Sequence, residues 1–325
     1  MQAITYSRYG PPSVLQVESL PDPEPAPGEV LVAVKAAEAT KSDCELRSLQ
    51  FPVRWVSPFV RLAIGVRRPR RRVLGGYFAG EVIGLGAGAT RFRVGDRIFG
   101  ASRFRFGGYG QRLAVPESYT LAKIPDALTF AQAAAVPLGG LNALHFMRAA
   151  RIEPGTSALI VGGGGSIGLF AIQIAKRMGA RVTAVDHHRK RDLVEDAGAD
   201  EFVDYTREDF ATRGQAFDVV FSTVAGVSTR ACFGVLREGG RFVNGNPRLA
   251  HLLMAPSARW VFRRELFVRF AAEAQGELDD LAGMLAREEI RPFVDSELPM
   301  SAAPLAHERV QSEDRLGAIV LRIDG

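Results

Sequence analysis

Cysteine is almost missing: 325 residues carry two, Cys44 and Cys232. They supply no disulfide framework and no CxxC metal cluster, and a reducing cytoplasm is the expected setting. No run of about 18 uncharged apolar residues occurs, which argues against a membrane-spanning helix. The first residues, MQAITY, lack the basic and apolar regions of a secretory leader. Internal repeats and low-complexity tracts are absent. No Gly-Lys-Ser/Thr follows the central glycines, so a P-loop is excluded. Acid is missing from one stretch: residues 51–72 hold seven arginines and no Asp or Glu. Setting those seven against the net charge of +5 leaves the rest of the chain at −2. The basic character is therefore local and does not mark a general nucleic-acid-binding surface. What remains is ordinary globular composition, 47% apolar and 24% charged, which excludes disorder, fibre or coiled coil as the main description. The length suits about two domains.

Residues 1 to about 120 read as strands and turns. Residues 29–37 (EVLVAVKAA) alternate as a strand does, after a proline-rich stretch. Residues 78–100 alternate again, punctuated by glycine, and 107–115 form another strand region. The pattern is that of an antiparallel, turn-rich β domain. From about 155 to 250 the character changes. Residues 158–161 (ALIV) form the continuous apolar run of a doubly buried parallel strand. Ile167, Phe170, Ala171, Ile174 and Met178 follow at helical spacing. Strands at 181–186, 218–221 and 241–243 alternate with helical stretches, implying a parallel sheet with right-handed crossovers. A helix is expected at 276–289 and another at 301–312. The strand-like tail at 318–323 is placed to return to the first domain and make it discontinuous.

The glycine turn carries the chemistry. Gly163, Gly165 and Gly168 form GxGxxG after a strand and before a helix. The first glycine permits the tight turn, the second admits a pyrophosphate, and the third lets helix and strand pack closely. The helix start adds N–H donors and a positive dipole end. Asp186 ends the next strand 21 residues beyond Gly165, as an acid at the adenosine ribose would. Dinucleotide binding is the expectation. Residues 164–168 also match GxSxG, the nucleophile elbow of serine hydrolases, with Ser166 as nucleophile and Asp218 and His251 downstream. No HGG-type oxyanion motif precedes it. Asp186 favours NAD, whereas His187, His188, Arg189, Lys190 and Arg191 offer charge to the 2′-phosphate of NADP; both cofactors stay open on the residues alone.

At this point the chain resembles the medium-chain dehydrogenase/reductase superfamily, in its zinc-free, quinone oxidoreductase-like (zeta-crystallin-like) branch. The matching stretches are residues 28–34, 78–84, 92–99, 107–110, 133–137 with 141–143, 198–200 with 204–205, and the tail 317–321. The resemblance implies an α/β protein, with a GroES-like β-rich catalytic domain (1–119 and 286–325) and a Rossmann doubly wound parallel-sheet domain (120–285). It implies an active site in the cleft between them and a homodimer joined at the Rossmann sheet edges. It places Gly163, Gly165, Ser166, Ile167 and Gly168 at the pyrophosphate, Asp186 at the ribose, and Lys190 and Tyr205 at a 2′-phosphate. Asn244 and Gly245 fall where the nicotinamide end passes. Lys190 and Tyr205 tip the expected cofactor to NADP, with NAD the alternative.

Alcohol dehydrogenases of this superfamily place zinc ligands where this chain has Thr40 and Gly76, and neither ligates zinc usefully. The four-cysteine structural zinc loop is missing as well. Without a Lewis acid a conjugated carbonyl is the easier substrate, because hydride attack leaves an enolate oxygen that needs donors and a proton. The expected activity is NAD(P)H-dependent reduction of a quinone or α,β-unsaturated carbonyl. Tyr77, Asn142 and Asp43 are the candidate catalytic residues: Tyr77 as proton donor, Asn142 as amide donor, Asp43 as brace. Glu45, Ser222 and Ala318 depart from residues usual in relatives. A non-catalytic or structural protein of the same fold, and a pathway-specific enoyl reductase, are the alternatives. Residues 51–72, with Phe51, Trp55, Phe59 and Leu62 among the arginines, read as a solvated insertion, a pocket wall for an acidic substrate, or a membrane-surface contact.

Overall fold

The computed structural model describes residues 1–51, 57–269 and 271–323, so Arg54 and Trp55 of the arginine-rich stretch lie outside the described residues. In chain order come β1 (Gln2–Thr5), β2 (Gln16–Ser19), β3 (Glu29–Ala39), α1 (Lys41–Ser48), α2 (Ser57–Ile64), β4 (Tyr77–Leu85), β5 (Arg97–Ala101), β6 (Arg112–Pro116), β7 (Leu121–Lys123) and α3 (Phe130–Ala134). Then follow α4 (Val136–Ala150), β8 (Ser157–Val161), α5 (Ser166–Arg177), β9 (Arg181–Asp186), α6 (Arg191–Asp196), β10 (Glu201–Asp204), β11 (Phe217–Ser222), α7 (Thr229–Gly234), β12 (Leu236–Asn244), α8 (Leu249–Phe262) and β13 (Glu265–Val268). The chain closes with α9 (Gln275–Ala286), β14 (Val294–Pro299), α10 (Ala303–Ser312) and β15 (Ala318–Arg322). They form two units: Met1–Leu138 with Glu273–Glu288 and Pro292–Gly325, and Gly139–Ala272 with Glu289–Arg291.

In the first unit a seven-stranded sheet runs β14-β15-β3-β4-β5-β7, with β6 also on β3. Alternation in β3 buries Val30, Val32 and Val34, the period-2 signature of a strand against a core. The tail strand β15 pairs antiparallel with β3, Ile319 opposite Ala39 and Arg322 opposite Ala36, so the chain's end completes the sheet that its beginning starts. Not all of this sheet is antiparallel: β14 lies parallel to β15. Register shifts between β3 and β4 mark bulges, which increase local twist and bend the sheet. In the arginine-rich stretch, Leu62 is exposed, Ile64 is buried and Arg72 pairs with Glu18 at the surface.

The second unit is a parallel sheet in the order β10-β9-β8-β11-β12-β13. This is the doubly wound arrangement, whose strand order reverses between β8 and β11. Its core holds Leu159, Val161, Val185, Val220 and Phe242, from strands covered on both faces. No helix among the described residues is long and apolar enough to cross a membrane.

Candidate functional site

The glycine turn leaves β8 at the point where the sheet order reverses, the place where parallel sheets of this kind bind ligands. Three of its glycines are there for different reasons. A Cβ on Gly168 would collide with the Gly162 carbonyl oxygen, so this glycine lets α5 close onto the loop. A Cβ on Gly163 would come within 2.9 Å of the Ala184 methyl. Gly165 is unlike both. Its φ is −85°, and its Cβ would meet only the Gly162 oxygen, at an ordinary 3.5 Å. Nothing inside the unit demands glycine there. Gly165 is the N-cap of α5 and no side chain caps that helix start, so the position is left bare where a dipole's positive end faces outward.

Asp186, at the end of β9, is turned into this loop. Its Oδ2 accepts from Gly164 N at 2.7 Å and its Oδ1 from His187 N at 2.8 Å. Lys190 folds back over Gly164, with Nζ 3.9 Å from Asp186 Oδ1. Both side chains are buried. Around them stand the His187 and His188 rings, 4.2 Å apart, and the exposed Tyr205, edge-on to His187 at 6.0 Å. Exposed Arg189 and Arg191 extend the basic surface.

Asn244 and Gly245 fall at the same sheet end. Asn244 ends β12; its Oδ1 accepts from Asn246 N at 3.0 Å and its Nδ2 lies 3.1 Å from His251 Nδ1. Gly245 sits against Phe146 and Thr223. Asn142 is half-buried on α4. Gly163, Gly165, Ser166, Ile167, Gly168, Asp186, Lys190, Tyr205, Asn244 and Gly245 thus gather at the ends of β8, β9, β10 and β12. The hydrolase arrangement fails on the same geometry. Asp218 holds Ser157 N at 2.8 Å, at the far end of β8 from Ser166, and pairs with Arg237. The His251 ring is engaged by Thr229, Asn244 and Arg248 N.

In the first unit Asp43 is consumed by structure. It is the third residue of α1 and forms a capping box with Thr40: Asp43 N donates to Thr40 Oγ1 at 3.1 Å and Thr40 N to Asp43 Oδ2 at 3.2 Å. Its other oxygen accepts from Gly75 N at 3.0 Å, tying α1 to the turn before β4. Thr40, where the superfamily's zinc enzymes have a ligand, is here a helix cap. Among the described residues no group of three or more His, Cys, Asp or Glu side chains is placed to hold a metal ion. Tyr77 opens β4 and donates from Oη to Glu273 Oε1 at 2.6 Å. Burial first, and the Glu273 charge second, hold its pKa well above the usual phenol value.

Three further groups stand beside these: Glu273 and His307, which sequence reasoning did not single out, and Glu45, which it named only as a departure from relatives. Glu273 partners Tyr77 across 196 residues, a distance no local spacing reveals. The Glu45 carboxyl is pushed up to about 7 by burial. His307 is wholly buried, and that burial pushes its pKa down to about 3. Arg47 Nε, which can only donate, lies 3.2 Å from His307 Nδ1, so the ring proton sits on Nε2. There it faces Tyr109 Oη at 3.0 Å, and Tyr109 in turn bonds Asp43. A buried cation and a buried carboxyl are thereby joined through two neutral groups.

Comparisons with known proteins bear on both units. Residues 26–126 match the alcohol dehydrogenase GroES-like domain, 131–236 the alanine dehydrogenase/PNT C-terminal domain, and 197–321 the zinc-binding dehydrogenase family. The chain is 30% identical over 312 residues to 2-methylene-furan-3-one reductase of Solanum lycopersicum, covering 93% of this chain and 73% of that protein. It is 28% identical to the chloroplastic NADPH-dependent alkenal/one oxidoreductase of Arabidopsis thaliana, covering 99% and 79%. A stretch of 271 residues, 81% of the chain, is 31% identical to the polyketide synthase GfsB of Streptomyces halstedii but spans only 5% of that protein. Among solved structures, the quinone oxidoreductase of Coxiella burnetii superposes with a TM-score of 0.87 at 26% identity, covering 100% of this chain and 99% of that one.

Proposed function

The chain belongs to the medium-chain dehydrogenase/reductase superfamily, and from that premise we propose that it reduces a quinone or an α,β-unsaturated carbonyl with NADPH and without zinc. The observation that carries this reading is Gly165, a glycine with no internal reason to be one, at an uncapped helix start on the switch point of a parallel sheet. A pyrophosphate fits that bare surface, held by backbone N–H groups of the turn and of α5. Lys190 and Tyr205 would hold a 2′-phosphate, and Asn244 and Gly245 would shape the nicotinamide end. When bound, the dinucleotide supplies a hydride.

NADPH is favoured over NADH by the seating of Asp186. Its two oxygens are taken by backbone N–H groups and its charge faces Lys190, which blunts its repulsion of a phosphate. The relative named for NADPH and for alkenals and alkenones supports the same reading. Zinc independence is supported by Thr40, whose hydroxyl is spent on a helix cap. Tyr77 keeps its proton through the neutral range and would turn it from Glu273 to the substrate oxygen that gains charge. Asp43 positions the turn that carries Tyr77. The homodimer belongs to this reading too: β13 ends its sheet, and its outer edge meets no strand among the described residues.

Calorimetric titration with NADPH and NADH, followed by cofactor oxidation with a panel of quinones and enones, tests the proposal. NADPH is expected to bind more tightly and to be turned over. Lys190→Ala should weaken NADPH by about tenfold to a hundredfold and leave NADH nearly unchanged. Equal losses for both cofactors would remove Lys190 as the selector. Binding without turnover across the panel would favour a non-catalytic role, and no binding of either cofactor would overturn the reading.

A further inference from the structure

Helix α8 presents an apolar row to solvent. Leu249, Leu253, Pro256 and Trp260 recur at the spacing that lines one helix face. Leu249 is 52% exposed, Leu253 76% and Trp260 86%. The opposite side, with His251 and Ala258, is buried against the second unit's sheet. Large apolar side chains in a continuous exposed row mark an interaction surface. The charge around the row selects the partner. Residues 248–264 carry four arginines and no Asp or Glu. Arg259 flanks the row, and Arg263 closes the helix beside the outward Trp260. The acids that reach this region come from neighbouring elements: Glu238 bonds Arg263 at 3.1 Å and Glu265 lies 4.0 Å from Arg259. Arg264 donates to the Leu236 carbonyl.

The helix and its flanks hold four arginines and no acid, a charge that an anionic surface complements. Leucine and tryptophan on one face with arginine at the boundary is the composition of a helix that lies in the membrane interface. We infer that α8 is a docking helix that seats Leu249, Leu253, Pro256 and Trp260 in the interfacial layer of an anionic lipid bilayer. No residue of the row belongs to the glycine-turn site, so the inference stands apart from the cofactor assignment.

The test is co-sedimentation of the full chain with vesicles of phosphatidylcholine alone and of equimolar phosphatidylcholine and phosphatidylglycerol. Binding is expected to the mixed vesicles and to weaken with salt, since arginines near an anionic surface are attracted to it and salt screens that attraction. Leu253→Glu with Trp260→Glu should weaken it about a hundredfold or more. As a second readout, Trp55→Phe leaves Trp260 as the single tryptophan. Brominated acyl chains should then quench its fluorescence. The inference fails if the wild type ignores anionic vesicles, if the double variant binds them as well as the wild type, or if Trp260 is not quenched. It also fails if the double variant changes the oligomeric state while vesicle binding persists, for then the row is a subunit contact.

Discussion

Burial acts on two titratable side chains of the first unit in opposite directions. Glu45 has its carboxyl raised from 4.5 to about 7, chiefly by desolvation and partly offset by Lys41. His307 is lowered from 6.5 to about 3, again chiefly by desolvation, with Arg47 adding to it. In the window between 4.5 and about 7 the folded chain keeps a proton on Glu45 that the unfolded chain releases. Stability from that group is therefore fully present below 4.5 and is lost as pH rises to about 7. His307 works the other way: its contribution is present above 6.5 and is lost as pH falls toward 3. A neutral isostere separates them. Glu45→Gln should stabilise the protein against urea by about 1–3 kcal/mol near pH 8 and by little near pH 4. The acid-side slope due to His307 should remain. A gain that is the same at both pH values would show that burial does not govern Glu45.

At the scale of single elements, α1 shows how one capping pair can hold two elements together. Thr40 accepts from Asp43 N at 3.1 Å and so satisfies a donor at the helix start. Its partner Asp43 also holds the turn at Gly75, so the cap ties two elements rather than one. Thr40→Ala should cost about 1–2 kcal/mol of unfolding free energy, while Thr40→Ser, which keeps the hydroxyl, should cost about half a kcal/mol or less. Equal losses in the two variants, read from urea midpoints, would remove the hydroxyl from the account. Elements of this kind were legible in the sequence to the extent that one face was buried. Strand β3 announces itself by alternation, α5 by glycines followed by apolar residues at helical spacing, and β15 by a short apolar run that pairs with β3. Helix α8 did not announce itself. Its outward row is as apolar as its inward side, so no hydrophobic period survives for a reader to find. The pairing of Tyr77 with Glu273 and the complete burial of His307 depend on residues far apart in the chain meeting in space. Composition and spacing carry no trace of either.

For the whole molecule, the division into two units, each with its own sheet and core, implies that ligand stabilisation is unevenly shared. The bare Gly165 surface, Asp186 and Lys190 all belong to the second unit. A ligand bound there opposes every opening that dismantles the site, by about 2.7 kcal/mol at a hundredfold excess over Kd. Openings that leave the site intact gain nothing, because local and sub-global unfolding need not include it. Saturating NADPH should therefore slow amide exchange in α5 and β9 by up to about a hundredfold. Exchange in β14 and β15, which close the first unit's sheet, should slow much less. Exchange mass spectrometry with and without cofactor resolves these segments. Protection as large in β15 as in α5 would mean that the two units open together, and the cofactor would then stabilise the chain as one cooperative body. Protection confined to α5 and β9 would leave the first unit free to open while the dinucleotide stays anchored.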